Sequence, residues 1–247
     1  MKRRNFLTNV TALGFTAAAA GALPACAQQT SIQGKPVGAS PGDANKLTPP
    51  ESGNISVAIA ITAGATVIDF AGPWEVFQDV MFGTGVNHRM PFKLFTVSDT
   101  TDPVICSAGI KIVPDYTFET APPTRVAVVG AQRGSKGLHE WLRKVSKTTD
   151  VTMSVCTGAF QLARAGLLAG LSATTHHDYL DGFEKEFPDV KVKRGLRFVE
   201  GSPRISTAGG LSSGIDLALR VVERYYGRDI AKQTAAYMEY QSTGWMV

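Results

Sequence analysis

The sequence predicts an α/β fold: a three-layer sandwich around a mainly parallel sheet. Three observations carry that expectation. Short, almost wholly apolar runs recur at residues 55–62, 125–130 and 151–155, and read as strands buried on both faces. Helical patterns alternate with them, which argues for parallel strands joined by crossover helices. The run 151–155 ends on Cys156 and a helix begins at once through Thr157 and Gly158. That places a thiol beyond the carboxyl end of a strand, where sites in such sheets lie.

The elements follow in order. Ile55-Ser-Val-Ala-Ile-Ala-Ile-Thr is the first strand, and Ala63-Gly64-Ala65-Thr66 the turn after it. Residues 67–82 are helical, with Pro73 expected in the first turn, where a missing N–H does little harm. Residues 92–98 form a second strand. Segments 104–106 and 110–113 pair as a hairpin around Ala108-Gly109. Residues 125–130 make a third core strand, 134–147 an amphipathic helix and 151–155 a fourth core strand. The helix that starts at Gly158 runs to 168 and is closed near Gly170. A short strand at 172–176, a helix at 179–187 stopped by Pro188, and strands at 190–192, 197–199 and 204–207 come next. Gly209-Gly210 introduces a helix through about Tyr226, and residues 228–241 form the last one. There is no internal repeat.

The first residues lie outside this fold. Arg3 and Arg4 precede Phe6 and Leu7, and an apolar stretch at 10–23 follows, softened by Gly14 and Gly21. It is too short and too rich in glycine and alanine for a spanning helix. The pattern resembles the twin-arginine export signal of bacteria, which implies a periplasmic protein; an ordinary secretory signal carrying two arginines is the alternative. Leu23-Pro24-Ala25-Cys26 looks like a lipobox and would leave a lipid anchor at Cys26. Ala25-Cys26-Ala27 also fits simple cleavage after Ala27. Residues 28–53, rich in Gln, Ser, Gly, Pro and Thr, read as a flexible linker. The organisation expected is thus a signal peptide at 1–27, a linker at 28–53 and one domain at 54–247, a common size for a single core.

Composition excludes some classes. The chain carries 25 Lys and Arg against 21 Asp and Glu. Three of the bases, Lys2, Arg3 and Arg4, fall in the leader, which has no acid, so the domain is close to neutral and gives no case for nucleic-acid binding. Beyond the leader only Cys106 and Cys156 remain. A disulfide between them is disfavoured, because Cys156 suits an active-site turn and Cys106 lies in a different strand. No Cys-x-x-Cys or histidine-rich cluster suggests zinc. His176 and His177, adjacent on an expected strand, should point apart and make a poor pair of metal ligands.

Cys156 is the focus of the functional reading. An isolated cysteine after an apolar strand is often a small buried hydrophobe. On a strand-to-helix turn, however, it meets the unpaired N–H groups and positive end of a helix. Such a thiol should titrate low and sit partly as the nucleophilic thiolate.

Longer motifs point the same way. Ser154-Val-Cys-Thr-Gly158, Leu162-Ala-Arg-Ala-Gly-Leu-Leu168 and Ala173-Thr-Thr-His176 resemble the nucleophile segment of the ThiJ/PfpI superfamily. That superfamily has the class I glutamine amidotransferase-like, flavodoxin-like fold. Ile68-Asp-Phe-Ala-Gly-Pro-Trp-Glu-Val-Phe77 resembles its subgroup of isonitrile hydratases and sensor domains of AraC-type regulators. Thr207-Ala-Gly-Gly210, Gly214-Ile-Asp-Leu-Ala-Leu219 and Met238-Glu-Tyr240 fit the same subgroup.

The resemblance implies roles. Cys156 is the nucleophile, and Asp69 the acid that approaches it and handles protons; Asp69 read locally is a helix cap. Thr157 offers its backbone N–H, and its hydroxyl, to developing negative charge. His176 stands where many members place a histidine near the thiol, or else it is a packed strand-end residue. Asp178 orients it or caps the next helix. His177 replaces a common tryptophan and alters the pocket wall. At Gly130-Ala-Gln-Arg-Gly134 relatives commonly have a glycine pair whose amides face the reacting centre; here Gln132 is a substitute side-chain donor or merely part of a polar loop. Gly210 allows close approach to the pocket. Trp74 and Phe77 read as core or dimer contacts.

The function expected is a cysteine-dependent hydratase or hydrolase of a small molecule, isonitrile to N-substituted formamide, without metal or organic cofactor and as a homodimer. The alternatives are a periplasmic ligand- or redox-sensing module without turnover, and an amidase or protease built on a Cys–His pair. The chain ends soon after the last expected helix, which with the export signal argues against a transcriptional regulator.

Overall fold

The computed structural model describes residues 45–83 and 89–246. The signal, the lipobox and the first part of the linker lie outside the described residues. The elements are β1 (Ile55–Ala60), α1 (Val67–Gln78), β2 (Phe92–Ser98), β3 (Val104–Ile105), β4 (Lys111–Ile112), β5 (Tyr116–Thr117), β6 (Val126–Val129), α2 (Lys136–Val145), β7 (Val151–Ser154), α3 (Gly158–Arg164), β8 (Ser172–Ala173), α4 (Leu180–Glu186), β9 (Lys191–Val192), β10 (Phe198–Glu200), β11 (Ile205–Ala208), α5 (Ser213–Tyr226) and α6 (Arg228–Tyr237).

Seven strands form the main sheet in the order β10-β11-β7-β6-β1-β2-β5. All neighbours are parallel except β10 and β11. Because strand side chains alternate, β1 feeds two cores. Val57 and Ile59 face a cluster with Phe77 of α1, Leu217 and Val221 of α5 and Ala231 of α6. Ala58 and Ala60 face another with Leu138 and Leu142 of α2, Leu162 of α3 and Phe183 of α4. Helices therefore cover both faces, and the expected three-layer α/β sandwich is what forms. The order of strand addition reverses at β1, which leads to β2 on one side while β6 pairs on the other, all three running parallel. The carboxyl ends of β1, β6 and β7 consequently stand side by side.

Several boundaries differ from the sequence reading. Pro73 lies inside α1, not in its first turn, and cannot donate to the carbonyl of Asp69. The helix after Cys156 closes at Gly166 (φ 78°), not near Gly170. The Leu167 N–H bonds to Leu162 O and the Gly166 N–H to Ala163 O, a Schellman closure that spends the last carbonyls. β8 and β9 pair only with each other, off the main sheet. The segment read as linker is tied down over its end: the Leu47 N–H donates to Arg224 O, and the Arg224 and Arg125 side chains bond to Asn45 O and Thr48 O.

Candidate active site

Cys156 sits between β7 and α3 with φ 57°, the left-handed region that side-chain-bearing residues rarely enter. The turn is held on every side. The Val155 N–H donates to Val129 O and the Cys156 N–H to Gly209 O (2.8 Å), while the Gly158 N–H closes back on Val155 O (2.9 Å). Thr175 Oγ1 donates to Cys156 O at 2.9 Å. Gly158 is required here, because a Cβ would collide with the carbonyls of Val129 and Gly130. The β7 end thus packs directly on the β6 end, with the thiol aimed into the crevice beyond them.

Asp69 reaches the thiol from α1 and is fully buried. Its Oδ2 accepts the Ala131 N–H at 2.9 Å. Gly130 permits this approach, since a side chain there would strike the Asp69 Cβ. The carboxyl also interacts with the Cys156 thiol. Asp69 Oδ1 is buried with no hydrogen-bond partner among the described residues, so the thiol contact falls short of a full hydrogen bond. Burial pushes Asp69 up to about 6, against the opposing pull of the Ala131 N–H and the thiol.

The thiol departs from the sequence expectation. It is not a low-titrating cysteine: burial, with the Asp69 charge second, pushes it up to about 11, although the Thr157 and Leu211 N–H groups bond to the sulfur and oppose the rise. α3 is 7 residues long. Its dipole, with the amides of Thr157 and Leu211, is outweighed by desolvation and a neighbouring carboxylate. Cys156 as a residue is 7% exposed.

Thr157 has its backbone N–H at the sulfur, and its side chain makes no capping bond. His176 is different. Its ring rests on Gly210, where a Cβ would overlap the imidazole carbons. Its Nδ1 accepts the Asp178 N–H at 3.2 Å, so a neutral ring carries its proton on Nε2. No hydrogen bond joins His176 to Cys156 among the described residues. His176 and His177 do not point apart, because β8 ends at Ala173 and the pair enters a 3-10 turn, His177–Tyr179. Their rings stack with centroids 4.3 Å apart. Asp178 touches both, 3.7 Å from His176 Nδ1 and 3.1 Å from His177 Nε2.

Gln132 is anchored through its acceptors, its Oε1 taking the Thr62 N–H at 2.7 Å and its carbonyl taking Gln161 Nε2 at 3.1 Å, while its donor, Nε2, is buried with no hydrogen-bond partner among the described residues. Three participants escaped the sequence reading, namely the amides of Ala131 and Leu211 and the space left by Gly130. Gly209-Gly210 was the signal nearest to one of them. Trp74 lines an apolar cavity of about 340 Å³ with Ile61, Phe70 and Ile112, to which neither Cys156 nor Thr157 contributes; Phe77 is core. Cys106 and Cys156 are both free thiols.

Comparison with known proteins matches this chain to a family. The model of the DJ-1/PfpI family covers residues 55–224. An isonitrile hydratase of Pseudomonas putida is 34% identical over 70% of this chain and 73% of its own length. The transcriptional regulator CdhR of Pseudomonas aeruginosa is 31% identical over 60% of this chain, but the match spans only 45% of the regulator. Among solved structures, a ThiJ/PfpI family protein from Pseudomonas syringae superposes with a TM-score of 0.65 at 27% identity, covering 77% of this chain and 76% of that one.

Proposed function

The chain belongs to the DJ-1/PfpI family, and from that premise we propose that it is a cysteine-dependent hydratase or hydrolase of a small molecule, with hydration of an isonitrile to an N-substituted formamide as the specific reaction. One observation carries the reading: a buried carboxyl and a thiol in contact, with two backbone amides on the sulfur. The likeness to the Pseudomonas putida isonitrile hydratase supports it.

At neutral pH the pair holds one proton, on sulfur, with Asp69 ionised. As the sulfur attacks the terminal isonitrile carbon, its proton passes to Asp69, which delivers it to that carbon and leaves a thioimidate. Water then adds across the C=N bond, with Asp69 taking one of its protons and passing it to the nitrogen. Collapse of the tetrahedral adduct forms the formamide carbonyl, breaks the C–S bond and returns the proton to the thiol. The amides of Thr157 and Leu211 stabilise the sulfur anion whenever it forms. The steps use no metal or organic cofactor.

A panel of isonitriles, amides, peptides and glyoxals, assayed on the wild type and on Cys156→Ala, tests this. Hydration of an isonitrile that vanishes in the variant is expected; full activity without the sulfur rejects the mechanism. The regulator likeness favours a second reading, a ligand-sensing module without turnover. Tight binding of a small molecule with no product across the panel would select it. The same proposal includes export by the twin-arginine route to the periplasm, a lipid at Cys26 and a homodimer. Mass spectrometry of the mature N-terminus and light scattering check these: an uncleaved N-terminus would count against export, an unlipidated Gln28 start against the lipid, and a monomer against the dimer.

A further inference from the structure

The motifs around Gly210, Asp216 and Tyr240 supply no side chain to the chemistry above, yet they converge on the loop that carries the Leu211 amide. Loop 209–212 forms a wall of the site: Gly209 O accepts the Cys156 N–H, and the Gly209 N–H donates to Arg197 O at 2.9 Å. Leu211 lies in the left-handed region (φ 52°) with its N–H on the Cys156 sulfur. A conformation that leucine rarely adopts, in an exposed residue, persists only when its surroundings over-determine it.

Arg197 supplies that constraint. Its Nη2 donates to Ser212 Oγ at 3.1 Å, the residue after Leu211. Its Nε bonds to Asp216 Oδ2 at 2.6 Å, and the Asp216 side chain is fully buried. Tyr240 Oη accepts from Arg197 Nη2 and donates to Ser212 O, each at 3.4 Å. Ser242 Oγ holds the other Asp216 oxygen at 3.0 Å. The fork geometry of a guanidinium suits it to bridge three partners in one plane.

We propose that Arg197, Asp216 and Tyr240 form a clamp that fixes the Leu211 N–H on Cys156, making Leu211 the second amide donor of the site beside Thr157. Arg197 is a positioning residue; it touches neither sulfur nor substrate. The inference rests on the reading of Cys156 as the reacting atom, but its test uses the thiol itself.

The experiment is alkylation of the full chain by iodoacetamide from pH 7 to 10, followed by mass spectrometry of the Cys156 peptide, with the melting temperature recorded for each variant. Losing one hydrogen bond to an ionised sulfur should slow alkylation of Arg197→Ala at pH 8 about fivefold. Tyr240→Phe and Ser212→Ala should each slow it about twofold, and Arg197→Lys should recover part of the loss. Arg220→Ala breaks buried ion pairs with Glu200 and Glu223 remote from the loop, and should lower the melting temperature at an unaltered rate. Wild-type alkylation across the pH range in Arg197→Ala, or faster alkylation, overturns the clamp and leaves Arg197 a purely structural residue. If Arg197→Ala does not fold, unaltered rates in both Tyr240→Phe and Ser212→Ala overturn it. Failure of the wild type to hydrate any isonitrile would reject the reaction proposed above and leave this result standing.

Discussion

Asp69 and Cys156 meet at the carboxyl end of the sheet, and the fold raises the proton affinity of both. Burial drives each rise; the Ala131 N–H holds back the carboxyl, while the carboxylate adds to the rise of the thiol. The consequence is counter-intuitive. Asp69→Asn removes the charge that opposes thiolate formation, so alkylation of Cys156 at pH 8 should become about tenfold faster. Turnover should nevertheless be lost, because nothing remains to carry the proton from sulfur to carbon. Slower alkylation in Asp69→Asn would mean that the carboxylate activates the thiol even toward a small alkylating agent.

The same pair sets a pH dependence for turnover. The reactive form holds one proton between two groups, whichever carries it. Activity should rise through about pH 6 as Asp69 ionises and stay level toward about pH 11, where the thiol loses its proton. A profile of kcat against pH checks this; an inflection near the ordinary cysteine value would show a thiol uncoupled from Asp69.

Asp69 should also cost stability. Its folded-state value lies above the unfolded one, so the native state binds the proton more tightly between the two. Its contribution therefore falls as pH rises from about 4 to about 6 and stays low above that. Asp69→Asn keeps an oxygen for the Ala131 N–H without a charge to bury. Thermal melts should show the variant stabilised at pH 8 by up to about 3 kcal/mol, with little difference near pH 4. Equal melting temperatures at pH 8 would contradict the burial cost.

Gly158→Ala should damage the turn itself. The added methyl meets the Val129 and Gly130 carbonyls, and β6 cannot yield because Val129 is paired with both Ala60 and Ser154. A loss of about 3 kcal/mol or more in chemical unfolding is expected, together with loss of turnover. A variant of wild-type stability would show that the turn has more room than this packing implies.

The layered fold was legible because it is written in local pattern. The runs at 55–62, 125–130 and 151–155 are apolar on both faces, and only a parallel sheet covered on both sides buries such strands. β5 escaped because Tyr116 and Thr117 are too few to show a period; they join the sheet only through pairing with Val97 and Ser98. The position of Cys156 on its turn was legible for the same local reasons. Its proton affinity was not, because the carboxyl that raises it arrives on α1 and the burial depends on the whole crevice. Leu211 was invisible for a related reason: its N–H reaches the sulfur through a left-handed backbone that no leucine advertises. His176 and His177 were misread because β8 stops at Ala173, three residues short of the expected strand end at His176, so a strand rule was applied to a turn.

His176 and Gly210 make the last contact that discriminates between readings. The imidazole lies against the bare Cα of Gly210, pinned by the Asp178 N–H and by stacking on His177. If His176 only lines the pocket, His176→Ala should leave kcat within about threefold, because deleting a wall residue removes no proton carrier. Gly210→Ala should be far worse. Its methyl displaces either the ring or the loop, and the loop carries the Leu211 N–H that bonds to the sulfur. Both kcat and the alkylation rate should then fall, and removing the ring as well, in the double variant Gly210→Ala with His176→Ala, should restore much of each. A general base contributes about 100-fold or more to turnover. A loss of that size in His176→Ala, with no rescue in the double variant, would make the histidine the proton carrier and move the site from Asp69-driven hydration to amide hydrolysis by a Cys–His pair.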